Sequence, residues 1–362
     1  MTGQRLVAAL MTALVTALLA GCGAAMATTG PAPADVRTAP ERPYPVGVRQ
    51  LTVDLNGPRP LPVTVWYPAD PPASPGRTTG AFARPAPAPT GRYLRSFTAT
   101  SLAGSAVGPS RPMGPAGPPN SGAQAGPSVR VRAPMAAGRF PVVLYSHGLR
   151  SLPALHAQLT TRWAAAGFVV VAPTYPRTNL RARNFTRDDV RNQPADARRL
   201  IRHLVRLSAR PGDPLGAHLA VNRIAAAGHS AGGHTTLGMF ASGRPSPLRA
   251  GIVIAGGRLV DGPSRPLAPM LFVHGTADRI VPESVGRAAY ARCLGPAAFL
   301  SLPGQGHGEY LNPSRPGFPQ VLDTTTDFLR WALYADRAAL GRLPADATSP
   351  GTTTFTTRAL PT

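Results

Sequence analysis

Between residues 139 and 335, short apolar runs alternate with longer segments of helical periodicity. The runs are FPVVLYS, GFVVVAP, RIAAAG, AGIVIAG, PMLFVHG and AAFLSLP. Each has the length of a strand and is apolar on both faces, which is typical of strands buried in a parallel sheet. The alternation therefore predicts an α/β fold, with a mostly parallel central sheet and helices on both faces.

The chain outside this region has a different composition. Its 38 glycines and 43 prolines concentrate before residue 140 and after residue 340. An exception is the pair VGVRQLTVDL and LPVTVWYP, whose alternating apolar and polar residues predict two antiparallel strands. We predict one domain over residues 43–340, with a low-complexity insertion at about 69–137, followed by a disordered tail at 341–362.

The first 22 residues read MTGQRLVAALMTALVTALLAGC and predict an export signal. Arg5 precedes an apolar stretch that is too short to span a bilayer comfortably, and Leu-Ala-Gly-Cys at 19–22 resembles a bacterial lipobox. Cleavage before Cys22 and lipidation of its thiol would anchor the protein to the cell membrane, facing outward. Residues 23–42 would then be a flexible tether. An ordinary signal peptide cleaved nearby is the alternative, and it too implies export.

The formal net charge is +22, and every basic side chain is arginine. The arginines are scattered and are not interleaved with aromatic residues, so the pattern does not predict a nucleic-acid partner. Cys293 is the only cysteine besides Cys22, so no disulfide is expected in the domain. A monomer is the default expectation.

Gly228-His229-Ser230-Ala231-Gly232 lies between a predicted strand and a predicted helix. A chain that turns from strand to helix within a few residues leaves the central serine strained and its hydroxyl exposed. The flanking glycines avoid clashes with neighbouring backbone. The pattern predicts Ser230 as a nucleophile.

A serine hydroxyl needs a base, and in this order of elements the histidine follows the serine. Three histidines do so. His234 lies one helical turn after the serine, and His274 lies at a strand end. His307 lies in a glycine-rich loop at 304–308, after the last strand, so it is the predicted base.

A carboxylate must orient that histidine. Asp278 follows the strand MLFVHG by a few residues, at the sheet edge where catalytic groups gather. Asp261 and Glu283 are the alternatives. Glu283 begins a helix, where an acidic side chain is also explained by the helix dipole. Asp278 is the predicted acid.

Acyl transfer also needs donors for an oxyanion. The amide of Ala231, directly after the serine, is the first candidate. The amide of Leu149 is the second, because it follows the strand FPVVLYS and the pair His147-Gly148. The alternative is that His147 and Gly148 only form a tight turn.

Several motifs in order carry a family resemblance: YPVGVRQLTVDL, LPVTVWYP, FPVVLYSHGL, GFVVVAPTYP, GHSAGG, HGTAD and GQGH. Over about 44–68 and 139–335 the chain resembles the platelet-activating-factor acetylhydrolase-like, predicted dienelactone hydrolase group. This group has the α/β-hydrolase fold and is related to bacterial cutinase-like polyester hydrolases. The resemblance implies the same triad and oxyanion donors, and hydrolysis of carboxylic esters without calcium or cofactor. True dienelactone hydrolases use a cysteine where this chain has Ser230.

These observations predict a serine hydrolase that acts through an acyl-enzyme on small-molecule or lipid esters, short-chain, lipid-like or polyester-like, with neither cofactor nor metal. Two other readings stay open. One is a non-catalytic surface lipoprotein that uses the fold for binding, although such proteins usually lose a triad member. The other is an amidase or peptidase of the same fold, although such peptidases commonly carry a large gating domain.

Overall fold

The apolar runs form one ten-stranded sheet in the computed structural model, which describes residues 38–72, 126–240, 248–257 and 267–361. The strands are β1 Val46–Val53, β2 Leu61–Pro68, β3 Val129–Val131, β4 Phe140–Ser146, β5 Val169–Pro173, β6 Leu219–His229, β7 Leu248–Ile254, β8 Met270–Gly275, β9 Ala297–Leu302 and β10 Thr354–Arg358. The α-helices are α1 Ala157–Ala165, α2 Gln193–Ser208, α3 Ala231–Phe240, α4 Glu283–Arg292, α5 Phe318–Tyr334 and α6 Arg337–Ala347.

The strand order is β10-β9-β8-β7-β6-β4-β5-β2-β1-β3. Neighbouring strands from β5 through β9 pair in parallel, whereas β2 is antiparallel to both β1 and β5. The predicted parallel sheet and the predicted antiparallel pair are therefore both confirmed.

Helices cover both faces of the sheet, as predicted. Side chains of α1, α5 and α6 pack against one face. Side chains of α2 pack against the other face, and α3 and α4 complete that layer towards β8 and β9. The central strands are buried along their whole length, which explains why their sequences are apolar without alternation.

The direction of chain progression reverses at β4, because β5 lies on one side of it and β6 on the other. Loops that leave β4 and β6 at their carboxyl ends therefore separate around a crevice. Such a switch point is where open α/β sheets bind ligands. Leu149 follows β4, and Ser230 follows β6.

The prediction that the tail is disordered is wrong for residues 341–361. Helix α6 continues to Ala347, and its Ala339, Leu343 and Ala347 are buried at a spacing of four residues. Strand β10 then pairs antiparallel with β9. Leu340, Phe355 and Leu360 add partly buried contacts, and the glycine, proline and threonine residues around these positions hide the periodicity in the sequence.

The ends of the predicted insertion also belong to the fold. β3 pairs in parallel with β1, Ala133 and Ala136 are buried, and the Tyr67 hydroxyl donates to the Ala133 carbonyl at 2.8 Å. Predictions for the export signal, Cys22, most of the tether, residues 73–125 and Asp261 lie outside the described residues. In the part of the chain that is described, no helix is long and apolar enough to cross a membrane.

Candidate active site

Ser230 forms the whole connection between β6, which ends at His229, and α3, which begins at Ala231. Its φ is +56°, a left-handed conformation that is uncommon for a residue with a side chain. Its N–H donates to the Ile254 carbonyl of β7 at 2.8 Å. The predicted strained turn is present, and strain of this kind clusters at functional sites.

Gly228 and Gly232 are required by close backbone contacts around this turn. A Cβ on Gly228 would overlap the backbone of Gly232, and a Cβ on Gly232 would overlap the carbonyl of Ser146 in β4. Both positions therefore accept only glycine without displacement of the sheet or the helix.

Asp278 and His307 meet at the carboxyl edge of the sheet, although 29 positions separate them in the chain. The Nδ1 atom of His307 lies 2.7 Å from Oδ2 of Asp278. The carboxylate side chain is fully buried, while the imidazole is 18% exposed. His307 is therefore held by a buried anion and still reaches the solvent side of the site.

Backbone amides fix the other carboxylate oxygen. The N–H groups of Ile280 and Val281 donate to Oδ1 of Asp278 at 2.8 and 2.9 Å. Burial by itself raises the pKa of Asp278, but the hydrogen bonds from His307, Val281 and Ile280 outweigh it and hold the pKa below its usual value. The group is thus an anion over the neutral range.

Two residues that the sequence offered as alternatives, His274 and Glu283, lie near Asp278 but have other partners. Nε2 of His274 is 3.4 Å from Oδ2 of Asp278, but it donates to the Val281 carbonyl at 2.8 Å and its side chain is 1% exposed. His274 therefore lies against the carboxylate on its buried side. Glu283 begins α4 and pairs with Arg287 of the same helix at 3.0 Å. The structure brings Asp278, and not Glu283, to His307.

The backbone after β4 lies against the serine turn. A Cβ on Gly148 would lie 3.2 Å from the Cβ of Ser230 and 3.4 Å from the His229 carbonyl oxygen. Ala231 is the first residue of α3, so its amide has no acceptor within the helix. The two predicted oxyanion donors, Leu149 and Ala231, thus belong to segments that meet at Ser230.

His147 fixes the peptide that carries the Leu149 amide. Its Nδ1–H donates to the Gly148 carbonyl at 2.7 Å, and its Nε2 accepts from the Tyr175 N–H at 3.1 Å. Because the peptide is trans, an anchored Gly148 carbonyl turns the Leu149 N–H to the opposite side. An imidazole that accepts an N–H is necessarily neutral, and burial lowers the pKa of His147 to about 4.

This neutral histidine predicts a loss of stability in acid. The unfolded state takes up the proton near the ordinary pKa of about 6.5, whereas the folded state resists it down to about 4. The free energy of unfolding should therefore fall as the pH drops through that window, with on the order of 3 kcal/mol from this group. Urea unfolding at pH 7 and pH 4.5 measures it. His147→Gln, which keeps a donor and an acceptor but does not titrate, should lose less than wild type. Equal losses would contradict the prediction.

Sequence reasoning missed a further histidine contact, because it treated His229 only as a variable position of the glycine-flanked motif. Nε2–H of His229 donates to the backbone carbonyl of His307 at 2.5 Å. The His156 ring packs edge-on against the His229 ring, with 5.0 Å between the centroids. The Tyr145 hydroxyl and Nδ1 of His156 form a hydrogen bond at 2.8 Å. Burial lowers the pKa of His229 to about 4, so it stays a neutral donor.

We expect His229→Phe to lower kcat/KM for ester hydrolysis about 10-fold. Phenylalanine fills the same space but removes the donor that holds the His307 backbone, and small displacements of catalytic groups reduce rates steeply. Steady-state kinetics measure the effect, and His203→Phe on α2 is a matched control that should stay near wild type. An unchanged kcat/KM in His229→Phe would show that this hydrogen bond does not position His307.

Within the described ranges, no cluster of three or more His, Cys, Asp or Glu side chains is arranged to hold a metal ion. Cys293 is buried with a free thiol, and burial raises its pKa to about 11. A cavity of about 720 Å³ between α6 and β10 is lined by neither histidine nor acidic residues.

The sequence model of the Chlorophyllase family matches residues 117–253. The match runs from before β4 to β7, and it includes Ser230 but neither Asp278 nor His307. Chlorophyllases are serine esterases of the α/β-hydrolase type, and the ten-stranded sheet has the corresponding architecture. The chain has the α/β-hydrolase fold. The match indicates an ester hydrolase of this type.

No curated protein matches the chain. The predicted α/β-hydrolase fold is thus confirmed at the level of the superfamily. The closer resemblance to platelet-activating-factor acetylhydrolase-like proteins stays a prediction.

Proposed function

We propose that this α/β-hydrolase is a serine carboxylic-ester hydrolase that works through an acyl-enzyme. The observation that carries the proposal is the 2.7 Å contact between His307 and the buried carboxylate of Asp278, at the same sheet edge as the strained Ser230 turn. A nucleophile, a base and an orienting acid in this order are the requirements of acyl transfer.

In the proposed mechanism, His307 takes the proton of the Ser230 hydroxyl as the oxygen attacks the ester carbonyl. The amides of Leu149 and Ala231 stabilise the tetrahedral oxyanion. The protonated His307 then gives its proton to the leaving alcohol, and Asp278 stabilises the imidazolium throughout. Water, activated by the same base, attacks the acyl-enzyme and regenerates Ser230.

Two other functions fit the fold but have less support. A binding lipoprotein has no need for a strained serine and a buried carboxylate–histidine pair. A fluorophosphonate separates this reading from the first, because only an activated serine reacts quickly with it. An amidase or peptidase would use the same residues, and parallel assays with p-nitroanilide substrates distinguish it from an esterase.

A series of p-nitrophenyl esters from acetate to long acyl chains tests the proposal. We expect turnover of short esters, and the decline of kcat/KM with chain length will report the size of the acyl site. Faster turnover of long or polymeric esters would instead assign lipid-like or polyester-like substrates. No turnover of any ester, together with no fluorophosphonate labelling of Ser230, would contradict the proposal.

We also propose that the enzyme is exported and anchored by a lipid on Cys22. The support is the lipobox at residues 19–22 after a short apolar segment. Expression in a bacterial host with labelled palmitate should label the wild type and leave Cys22→Ser unlabelled. Equal labelling of both proteins would contradict the anchor.

A further inference from the structure

A groove beside the candidate active site has a volume of about 640 Å³. One wall is the 3₁₀ turn Pro153–His156 with the start of α1, and the other is the loop that follows His307. The lining residues are Gly126, Leu155, His156, Gln158, Arg162, Gly308, Leu311, Asn312, Pro313 and Ser314.

The near end of the groove adjoins the catalytic groups. Gly308, which lines it, is the residue directly after His307. The ring of His156, which also lines it, packs against His229, and His229 in turn packs against the imidazole of His307 with 4.9 Å between centroids. The groove therefore begins at the residue next to the base that acts on an ester at Ser230.

The walls suit an amphiphilic arm. Leu155 is 61% exposed, and Pro313 lines the groove with it, so an alkyl segment would cover apolar surface there. Gln158, Asn312 and Ser314 add hydrogen-bonding groups. None of the described lining residues is acidic.

The groove carries a positive charge at Arg162, which lines it beside Gly126. Its Nη1 donates to the carbonyl and to Oε1 of Gln158 at 2.9 and 2.7 Å. Its guanidinium lies over the Phe318 ring, 5.3 Å from the centroid. A guanidinium oriented by such contacts loses little conformational entropy when it binds an anion.

We propose that this groove binds the arm of an ester substrate that ends in an anionic group, carboxylate or phosphate, with Arg162 as the anion-binding residue. The inference rests on the proposed esterase function and adds the substrate class. The apolar walls contact the alkyl part, and the guanidinium pairs with the anion by charge-assisted hydrogen bonds. The anion can belong to the acyl arm or to the alcohol arm.

The test compares matched esters that differ only in a terminal carboxylate. For the acyl arm, mono-p-nitrophenyl suberate is compared with p-nitrophenyl octanoate. For the alcohol arm, the acetate ester of 6-hydroxyhexanoate is compared with hexyl acetate by acetate release. We expect wild type to favour the anionic member of one pair in kcat/KM. Arg162→Gln should lower that preference about 10-fold, with Arg162→Lys in between.

Arg183→Gln is the matched control, since it removes the same charge from an exposed loop outside the groove. It should leave the preference unchanged. An equal loss in Arg183→Gln would assign the preference to the overall positive charge and overturn the proposal. Wild type without a preference in either pair would also overturn it.

A binding measurement separates this proposal from the esterase assignment. Suberamate, the monoamide of suberic acid, and octanamide are titrated calorimetrically into wild type and Arg162→Gln, so no ester turnover is needed. Suberamate should bind wild type more tightly than octanamide, which lacks only the terminal carboxylate, and the variant should lose about 10-fold for suberamate alone. Equal suberamate affinity in both proteins would overturn the groove assignment whether or not esters are hydrolysed.

Discussion

Replacing Ser230 with alanine should lower kcat for p-nitrophenyl ester hydrolysis by on the order of 10⁴ or more. Alanine removes the hydroxyl that forms the acyl-enzyme, while the oxyanion donors and the histidine remain. The melting temperature should change little, because the strain at φ +56° comes from the backbone and is the same for alanine. Stopped assays with concentrated enzyme, together with thermal unfolding, measure both quantities.

Ser284→Ala provides the matched control, because this serine is exposed on α4 and is not part of the site. It should keep wild-type activity and fluorophosphonate labelling, whereas Ser230→Ala should lose both. Labelling or turnover that persists in Ser230→Ala would mean that another residue is the nucleophile.

Asp278→Asn should lower kcat by about 10⁴ while the loop around it stays in place. The asparagine Oδ1 can still accept from the amides of Ile280 and Val281, which donate to Asp278 at 2.8 and 2.9 Å. The opposite atom becomes an NH₂ group that faces Nδ1 of His307. This donor favours the wrong tautomer of the imidazole and removes the charge that stabilises the imidazolium.

Two further variants decide between Asp278 and the other acids. Glu283→Gln should keep activity within about threefold of wild type, because Glu283 pairs with Arg287 and the Ser301 hydroxyl and has no contact with His307 among the described hydrogen bonds. Asp261→Asn tests the acid that lies outside the described residues and should also remain active. A large loss in either variant, with Asp278→Asn active, would reassign the orienting acid.

The sequence predicted those parts of the fold that follow from local chemistry. Strand length and apolar residues on both faces predicted the sheet from β4 to β9, because a strand that is buried on both faces can be identified from its own sequence. The strained turn at Ser230 was also predictable from local sequence. Glycine at 228 and 232 reports backbone contacts that any side chain would prevent.

The order of the triad was also predictable, but its geometry was not. Asp278 and His307 were expected because each follows a strand at the carboxyl edge of the sheet. Their distance depends on the pairing of β8 with β9, which brings the two loops together. His274, in β8, lies 3.4 Å from the Asp278 carboxylate, a contact that the sequence did not reveal.

Contacts between distant segments were decided only by the tertiary structure. Strand β10 and helix α6 lie in a tail whose composition predicted disorder, and they are ordered by pairing with β9 and packing on α5. The hydrogen bond from His229 to the carbonyl of His307 joins residues 78 positions apart. The sequence by itself therefore determined the sheet, the serine turn and the residue types of the site. The tertiary structure determined the distance between His307 and Asp278, the contact from His229 and where Arg162 lies, because these depend on long-range packing that no local pattern encodes.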